Sequence, residues 1–210
     1  MEIVTRVNRD QLVTTALELI DEEGGEALSM RALAKRVNRQ VSSLYNHVES
    51  RGDLIEAVRA RIVEEIDTTA FLAEPWDAAL EAWARSYLAA FAAHPNVILL
   101  LATTPIRDVS TLGMYDRVVG ALVEAGWPVG DAVAVMRTIE AHVLGSAIDI
   151  VAPGDLLEQG SVPPEHAAFR AALDPSLGDA FGARRAFEIG LAALLAGLRV
   201  RHAAGAGLRG

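Results

Sequence analysis

The sequence predicts an all-α protein, built as a small N-terminal three-helix domain and a larger C-terminal helical bundle. Hydrophobic residues make up 51% of the 210-residue chain but aromatic residues only 5%, a bias that favours helices over strands. Apolar residues recur at helical spacing, and Asn, Ser and Pro stand where helices should begin. We place residues 1–50 in the first domain and residues 51–210 in the second.

The first two helices and the turn after them are predicted from their end signals. Asn8 can cap the first helix and form a capping box with Gln11, and the Gly-Gly pair at 24–25 ends it. Ser29 caps a short second helix. Asn38 follows it and supplies a sharp turn, because asparagine tolerates the left-handed backbone conformation.

The third helix and the C-terminal helices follow from the same signals. A short helix is expected over residues 41–47, and Ser50 with Asp53 begins a long helix that runs towards Phe71. Pro75 opens a helix that continues through Phe91. The remaining predicted helices cover residues 95–102, 110–125, 131–151, 164–172 and 179–202, with a frayed tail over 203–210.

Composition excludes several classes of protein. The chain contains no cysteine, so disulfides, thiolate zinc sites and cysteine nucleophiles are ruled out. No apolar run reaches the roughly 18 residues of a membrane span, and the N-terminal residues lack an apolar signal core, so we expect a cytoplasmic protein. The histidines have no metal-ligand spacing and no catalytic motif is present. We therefore expect no metal, no cofactor and no enzymatic activity.

One basic segment stands out in an acidic chain. The net charge is -9, yet residues 29–51 hold five Lys and Arg residues against a single carboxylate. The segment coincides with two short helices and a tight turn, the layout of a helix-turn-helix that reads the major groove of DNA. Polar side chains that can contact bases or phosphates crowd its second helix: Gln40, Ser42, Ser43, Tyr45, Asn46 and His47. One alternative is that the helix-turn-helix is only a packing motif. A separate alternative for Tyr45 is that its ring simply covers the small core.

Residues 28–58, LSMRALAKRVNRQVSSLYNHVESRGDLIEAV, resemble the DNA-binding segment of the tetracycline-repressor (TetR) family. The shared pattern is Leu-x-x-Arg-x-Leu-Ala, then Leu-Tyr-x-His-Val, then a basic residue before Asp-Leu. The phrases AWARSYLAAFAAHPN, LATTP, LVEAGWP, LGSAI and FEIGLAALLAGL extend the resemblance into the C-terminal domain. It implies a homodimeric, ligand-responsive repressor that a small-molecule effector releases from a palindromic DNA operator, and the residues of the C-terminal pocket, described below, suggest that this effector is lipophilic.

The resemblance also implies roles for individual residues. Arg31 matches the second-helix arginine that reaches a guanine, and residues 41–43 (Val41, Ser42 and Ser43) match positions that touch bases. Tyr45 and His47 match residues that pack on or bond to the DNA backbone. Arg51 matches a phosphate-binding lysine.

Three positions depart from the tetracycline repressors. A glutamine stands there in place of Val41, so the operator should differ. The magnesium-ligating histidine of their drug site corresponds to Leu100, and a second drug-binding histidine corresponds to Asp67. A magnesium–tetracycline ligand is therefore not expected.

The C-terminal half carries aromatic, flexible and polar residues on otherwise apolar helices, a mixture that suits a small-molecule pocket. The alternative is that most of them are ordinary core residues. Buried Glu140 and His142 would need partners, which a ligand, a neighbouring helix or a partner chain could provide. The pocket candidates are Trp83, Tyr87, Phe91, Leu100, Thr103, Thr104, Arg107, Tyr115, Met136, Ile139, Glu140 and His142.

The last helix is apolar on nearly all sides, which the surface of a monomer could not carry. With the helix over 131–151 it predicts a four-helix dimer interface, as in the resembled family. The alternative is a central core helix of a monomer. The interface candidates are Phe187, Gly190, Leu191, Leu194, Gly197 and Leu198.

Two other functions remain open from the sequence. The chain could be a helical enzyme or small-molecule carrier with a vestigial DNA-binding module, and it could be an activator rather than a repressor. Specific binding of DNA that flanks the protein's own gene would distinguish a regulator from an enzyme or carrier.

Overall fold

A computed structural model describes residues 8–153 and 156–207, which form α-helices and short 3₁₀ turns with no strand among them. The predicted all-α fold is confirmed. The helices are α1 (Arg9–Glu23), α2 (Met30–Arg36), α3 (Val41–Leu44), α4 (Arg51–Val63), α5 (Trp76–Ala93), α6 (Ile98–Ala102), α7 (Val109–Glu124), α8 (Val129–Ile150), α9 (Ala167–Ala172) and α10 (Ala183–Gly207).

The predicted caps begin the N-terminal helices. The Asn8 side chain accepts a 2.8 Å hydrogen bond from the Gln11 backbone N–H, and the Gln11 side chain accepts one of 3.2 Å from the Asn8 N–H. Ser29 caps α2, and Ser50 accepts from the N–H of Asp53 at the start of α4. These bonds satisfy backbone donors that a helix start leaves unpaired.

The turn between α2 and α3 depends on Asn38, whose φ of 50° is the single positive value at a non-glycine residue in the described chain. The reversal brings Leu33 and Ala34 of α2 into the same core as Leu44 of α3. Asn38 thus sets the angle at which α3 is presented.

Two predicted helices end earlier than expected. The predicted helix over 41–47 is helical only as far as Leu44, after which the His47 N–H returns to the Leu44 carbonyl in a tighter turn. The helix predicted to run towards Phe71 ends at Val63. Beyond it, an Asp67 carboxylate oxygen accepts from the Thr69 N–H at 2.7 Å. Such a local side-chain bond replaces the helical hydrogen bonds.

The last helix is shifted towards the C-terminus relative to the prediction. It begins at Ala183 rather than 179, because Gly178 has a non-helical backbone (φ 58°) inside the preceding 3₁₀ turn. The tail predicted to fray from 203 is helical as far as Gly207. Residues 208–210 lie outside the described part of the chain.

The core is one continuous cluster that runs through both halves of the molecule. It extends from Leu12 of α1 through Leu54 of α4 to Trp83 of α5 and Leu195 of α10. In the C-terminal half, α8 packs between α5 and α10. No helix within residues 8–153 and 156–207 is long and apolar enough to cross a membrane.

The left-handed turn yields a stability prediction. We expect Asn38→Ala to lower the free energy of unfolding by about 1 kcal/mol, because a Cβ residue without a polar side chain is strained at positive φ. The matched Asn38→Gly variant should unfold close to the wild type in a urea titration. Equal stability of all three proteins would contradict the strained turn.

Candidate DNA-binding face and effector site

The α3 segment, which we define as α3 with its flanking residues (40–47), presents a polar face to solvent. Buried Leu44 anchors it to the core, whereas Tyr45 is 51% exposed. The alternative in which the Tyr45 ring covers the core is therefore wrong. Of the predicted DNA-binding residues on this segment, Gln40, Ser42, Tyr45 and Asn46 are exposed, and Val41, Ser43 and His47 are half-buried.

The basic residues of α2 divide into free and neutralised cations. Arg31 and Lys35 are exposed, and neither has a hydrogen bond or ion pair within the described residues. Arg36 instead pairs with the carboxylates of Glu22 and Glu23 in α1. The positive charge available to a polyanion from this helix is therefore concentrated on Arg31 and Lys35.

Arg51 is bound to the chain on one side only. Its Nε donates a 2.8 Å hydrogen bond to the Leu28 carbonyl between α1 and α2. Its terminal guanidinium nitrogens have no partner among the described residues. The side chain is therefore oriented at the start of α4 while its outer edge can bind a phosphate.

A second arginine fixes the start of α4 to α1. Arg9 forms two hydrogen bonds with the Asp53 carboxylate, at 2.7 and 2.9 Å, and donates to the His47 carbonyl at 3.1 Å. The hydrogen bond from Arg9 holds the pKa of Asp53 below its ordinary value. The clamp joins three elements around the helix-turn-helix, and sequence reasoning did not find it.

A polar cluster lies within the C-terminal bundle. Tyr87 of α5 donates a 2.9 Å hydrogen bond to Oε1 of Glu140 in α8, and Tyr115 of α7 donates to the same oxygen. Burial, followed by the Glu140 charge, raises the pKa of both tyrosines above the ordinary value. The partners that Glu140 required are thus two phenols of its own chain.

Aromatic rings continue from this cluster along α5. The Trp83 and Tyr87 ring centroids lie 5.2 Å apart, and those of Tyr87 and Phe91 lie 4.9 Å apart. The Trp83 indole Nε1 is buried and has no hydrogen-bond partner among the described residues, an unusual state for a buried donor. Met136 and Ile139 of α8 are buried in the same core.

The structure places the other pocket candidates elsewhere. Leu100 is half-buried beside Gly25. Thr103 and Arg107 are exposed, and the Thr104 hydroxyl donates to the Leu100 carbonyl. Thr104 and Arg107 line a separate cleft of about 880 Å³ between α1, α4 and the start of α7. These four residues therefore do not join the Glu140 cluster.

His142 also lies away from the cluster. Its Nε2 is 3.0 Å from the Phe187 carbonyl, and its ring stacks on Phe187 with centroids 5.3 Å apart. Side chains two residues apart on a helix point in nearly opposite directions. His142 therefore faces α10, whereas Glu140 faces α5 and α7. The prediction that His142 shares a pocket with Glu140 is therefore wrong.

Most of the predicted dimer residues belong to the core of this chain. Phe187, Leu191 and Leu198 are buried. A Cβ on Gly190 would lie 2.3 Å from the His142 ring, so this glycine allows α8 and α10 to approach. The interface prediction is wrong for these four residues. Their spacing places them on the inward face of α10.

The outward face of α10 is nevertheless apolar. Leu194 is half-buried and Gly197 is exposed. Ile189 and Val200 are 55% and 72% exposed, and Ala193 lies between them on the exposed side. On the neighbouring α8, exposed small and apolar residues form a matching stripe: Ala134, Thr138, Ala141, Gly145 and Ile148.

Two charged residues of α4 were missed by sequence reasoning. Arg59 is 6% exposed, and its Nε donates a 2.9 Å hydrogen bond to Oε1 of Glu56. Arg59 occupies a position in the apolar repeat of α4, beside Val58 and before Ile62. A charge at a core-facing position is the signal that could have identified it.

No group of His, Asp or Glu within the described residues is arranged to hold a metal ion. Two features of the structure remain as candidate sites. One is the solvent-facing helix-turn-helix with the exposed cations Arg31 and Lys35, and the other is the helical bundle with the polar cluster around Glu140. Together they define a helix-turn-helix transcriptional regulator with a C-terminal helical domain.

Comparison with known proteins identifies the family. Residues 12–58 match the family described as bacterial regulatory proteins, tetR family, and residues 72–202 match the tetracyclin repressor-like C-terminal domain. The chain therefore belongs to the TetR family of bacterial transcriptional regulators.

Three relatives illustrate the similarity. The chain is 29% identical over 208 residues to the class A tetracycline repressor from transposon 1721 of Escherichia coli, which covers 95% of this chain and 94% of the relative. It is 31% identical over 139 residues to the transcriptional repressor DrrR1 of Streptomyces coeruleorubidus, covering 66% of this chain but only 52% of DrrR1. The crystal structure of Streptomyces coelicolor ActR in complex with actinorhodin superposes with a TM-score of 0.73 at 26% identity, covering 94% of this chain and 99% of ActR.

The phenol–carboxylate cluster leads to a titration prediction. We expect Glu140→Gln to lower the pKa of Tyr115 towards its ordinary value, because the substitution removes the negative charge that opposes ionisation. Burial remains, so the pKa should stay above that value. NMR of Cζ-labelled tyrosine during an alkaline titration measures the change. Glu124→Gln, on the exposed end of α7, is the control. An unchanged Tyr115 titration in Glu140→Gln would contradict the coupling.

Proposed function

We propose that this regulator is a homodimeric repressor whose residues 1–50 bind a palindromic operator and whose residues 51–210 bind an effector and form the dimer. The observation that carries the proposal is the exposed polar face of the α3 segment beside Arg31 and Lys35 of α2, which have no partner in the described part of the chain. Short polar side chains and arginine are the groups that read base edges in the major groove. Such a protein would work in the cytoplasm.

We propose individual roles at the operator from the family resemblance, and the exposure of the side chains supports them. Arg31 is free to reach a guanine, and Val41, Ser42 and Ser43 stand at the start of α3, where recognition helices contact bases. Arg51 would bind a phosphate with its outer edge. Gln40, Tyr45, Asn46 and His47 would supply further contacts to bases or backbone.

We further infer that the dimer forms through the outward faces of α8 and α10. Their exposed small and apolar residues allow close approach of two helix pairs. Ala193, Gly197 and Val200 of α10 would lie in this four-helix seam. A dimer of this kind presents two copies of α3 to two half-sites about 34–36 Å apart or at a wider spacing.

The proposed effector is a small lipophilic molecule bound among Trp83, Tyr87, Phe91, Tyr115 and Glu140. ActR has been crystallised with actinorhodin, which supports an organic ligand in this family. Leu100 and Asp67 cannot replace two ligand-binding histidines, so a magnesium–tetracycline complex is not proposed. An effector that prefers the conformation with misplaced α3 helices would release DNA by mass action.

A gel-shift titration with duplex DNA flanking the protein's own gene tests the proposal. We expect Arg31→Ala to lose about 1–3 kcal/mol of specific binding, most of it at one base position. Arg36→Ala is the matched control, because Arg36 is already neutralised by Glu22 and Glu23. Its loss should be smaller.

Two outcomes would count against this assignment. If Arg31→Ala and Arg36→Ala weaken all duplexes equally, Arg31 contributes only general electrostatic attraction. If the wild type binds no flanking duplex in preference to unrelated DNA, the repressor proposal fails.

The proposed dimer seam is tested by a charge on the outward face of α10. We expect Ala193→Arg to give monomers in analytical ultracentrifugation, because a buried unpaired charge opposes association. Ala192→Arg is the control. Ala192 is also exposed, but it lies on the side of α10 from which Glu188 and Arg199 bind α5. Dimers in the Ala193→Arg variant, or monomers in both variants, would contradict this seam.

A further inference from the structure

The connection between α6 and α7, residues 103–108, is bound to α4 by two charged side chains. Nη2 of Arg59 donates to the carbonyl oxygens of Leu101 at 3.2 Å and Thr104 at 2.9 Å. The Leu101 carbonyl lies in the last turn of α6, and the Thr104 carbonyl lies two residues beyond this helix, in the connection itself.

The carboxylate beside Arg59 binds the other end of the same connection. Oε2 of Glu56 accepts hydrogen bonds from the backbone N–H groups of Arg107 at 2.6 Å and Asp108 at 2.9 Å. Asp108 is the N-cap residue of α7. One side chain therefore binds the end of α6 and its neighbour binds the start of α7.

Burial makes this arrangement costly to change. The side chains of Arg59 and Glu56 are 8% and 13% exposed and pair directly at 2.9 Å. Removing either group would leave the other as a poorly solvated charge. The surface pairs of α4 differ, since Arg61 binds Asp10, whose side chain is 71% exposed.

The two residues lie on α4, which packs against α1 on the DNA-binding side and against α5 and α7 of the C-terminal bundle. The start of α4 is fixed to the helix-turn-helix by Arg51 and by the Arg9–Asp53 clamp. About one to two turns further along, Glu56 and Arg59 hold the end of α6 and the 103–108 connection through four hydrogen bonds. A displacement of this connection must therefore move α4 or break hydrogen bonds that these two charged side chains form.

We propose that Glu56 and Arg59 form a latch that sets the position of the DNA-binding domain relative to the C-terminal bundle. They act as positioning residues through α4 and touch neither DNA nor effector. Any effect of this latch on release of the protein from the operator rests on the proposed repressor function. The latch itself is a property of the free protein, so its test uses no DNA.

The test measures the distance between the two domains directly. Because the chain has no native cysteine, nitroxide labels at Asn46→Cys and Glu124→Cys report one defined distance from the α3 segment to the end of α7. Mixing with excess unlabelled protein isolates the distance within one chain. Double electron–electron resonance should give a narrow distribution in the wild-type background. In Arg59→Met the distribution should shift or broaden.

Matched variants separate the latch from a general loss of charge. Arg85→Met removes an arginine that binds Glu81 and Glu188 within the C-terminal bundle, and the distance should not change. Arg59→Lys keeps the charge but lacks the forked donors, so it should shift the distribution in the same direction as Arg59→Met, but less. If Arg59→Met does not fold, Arg59→Lys and Glu56→Gln decide the result.

Hydrogen exchange supplies the second measurement. In Glu56→Gln the amides of Arg107 and Asp108 should exchange about tenfold faster or more, because their acceptor loses its charge. Faster exchange together with an unchanged interdomain distance would overturn the proposal, because Glu56 and Arg59 would then stabilise only the 103–108 connection. Failure of the protein to bind any duplex would refute the repressor proposal without affecting this result.

Discussion

The structure depends on α4 being buried from two sides at once. This helix packs against α1 on the DNA-binding side and against α5 and α7 of the C-terminal bundle. Leu54, Val58 and Ile62 are consequently almost inaccessible to solvent. A helix shared by two layers cannot move with one of them alone, so the position of α3 is linked to the packing of the bundle.

Local chemistry explains which parts of the fold could be predicted. Asn8 with Gln11, Ser29 and Ser50 act on backbone groups a few residues away, and each begins a helix in the structure. Asn38 adopts positive φ where the turn was expected. The charge excess of 29–51 is likewise a property of neighbouring residues. These signals need no knowledge of the tertiary fold.

Several of the errors concern contacts between distant segments. The end of α4 depends on Asp67, whose backbone N–H binds Ser86 of α5. The inward face of α10 depends on His142, which occupies the space beside Gly190. Arg59 gains its role from carbonyls more than forty residues away. Helical periodicity shows that a residue lies on a face, but not which neighbour covers that face.

The two kinds of contact across the domain boundary have different consequences for regulation. Apolar side chains such as Leu54 and Val58 can slide a short distance at small cost, because dispersion and hydrophobic burial are not directional. The hydrogen bonds of Glu56 and Arg59 tolerate little change in distance or angle. The apolar core therefore keeps α4 within the molecule, and the two buried charges select one position for it. An effector that altered the 103–108 connection would therefore act on the hydrogen bonds of Glu56 and Arg59, which tolerate less displacement than the apolar contacts do.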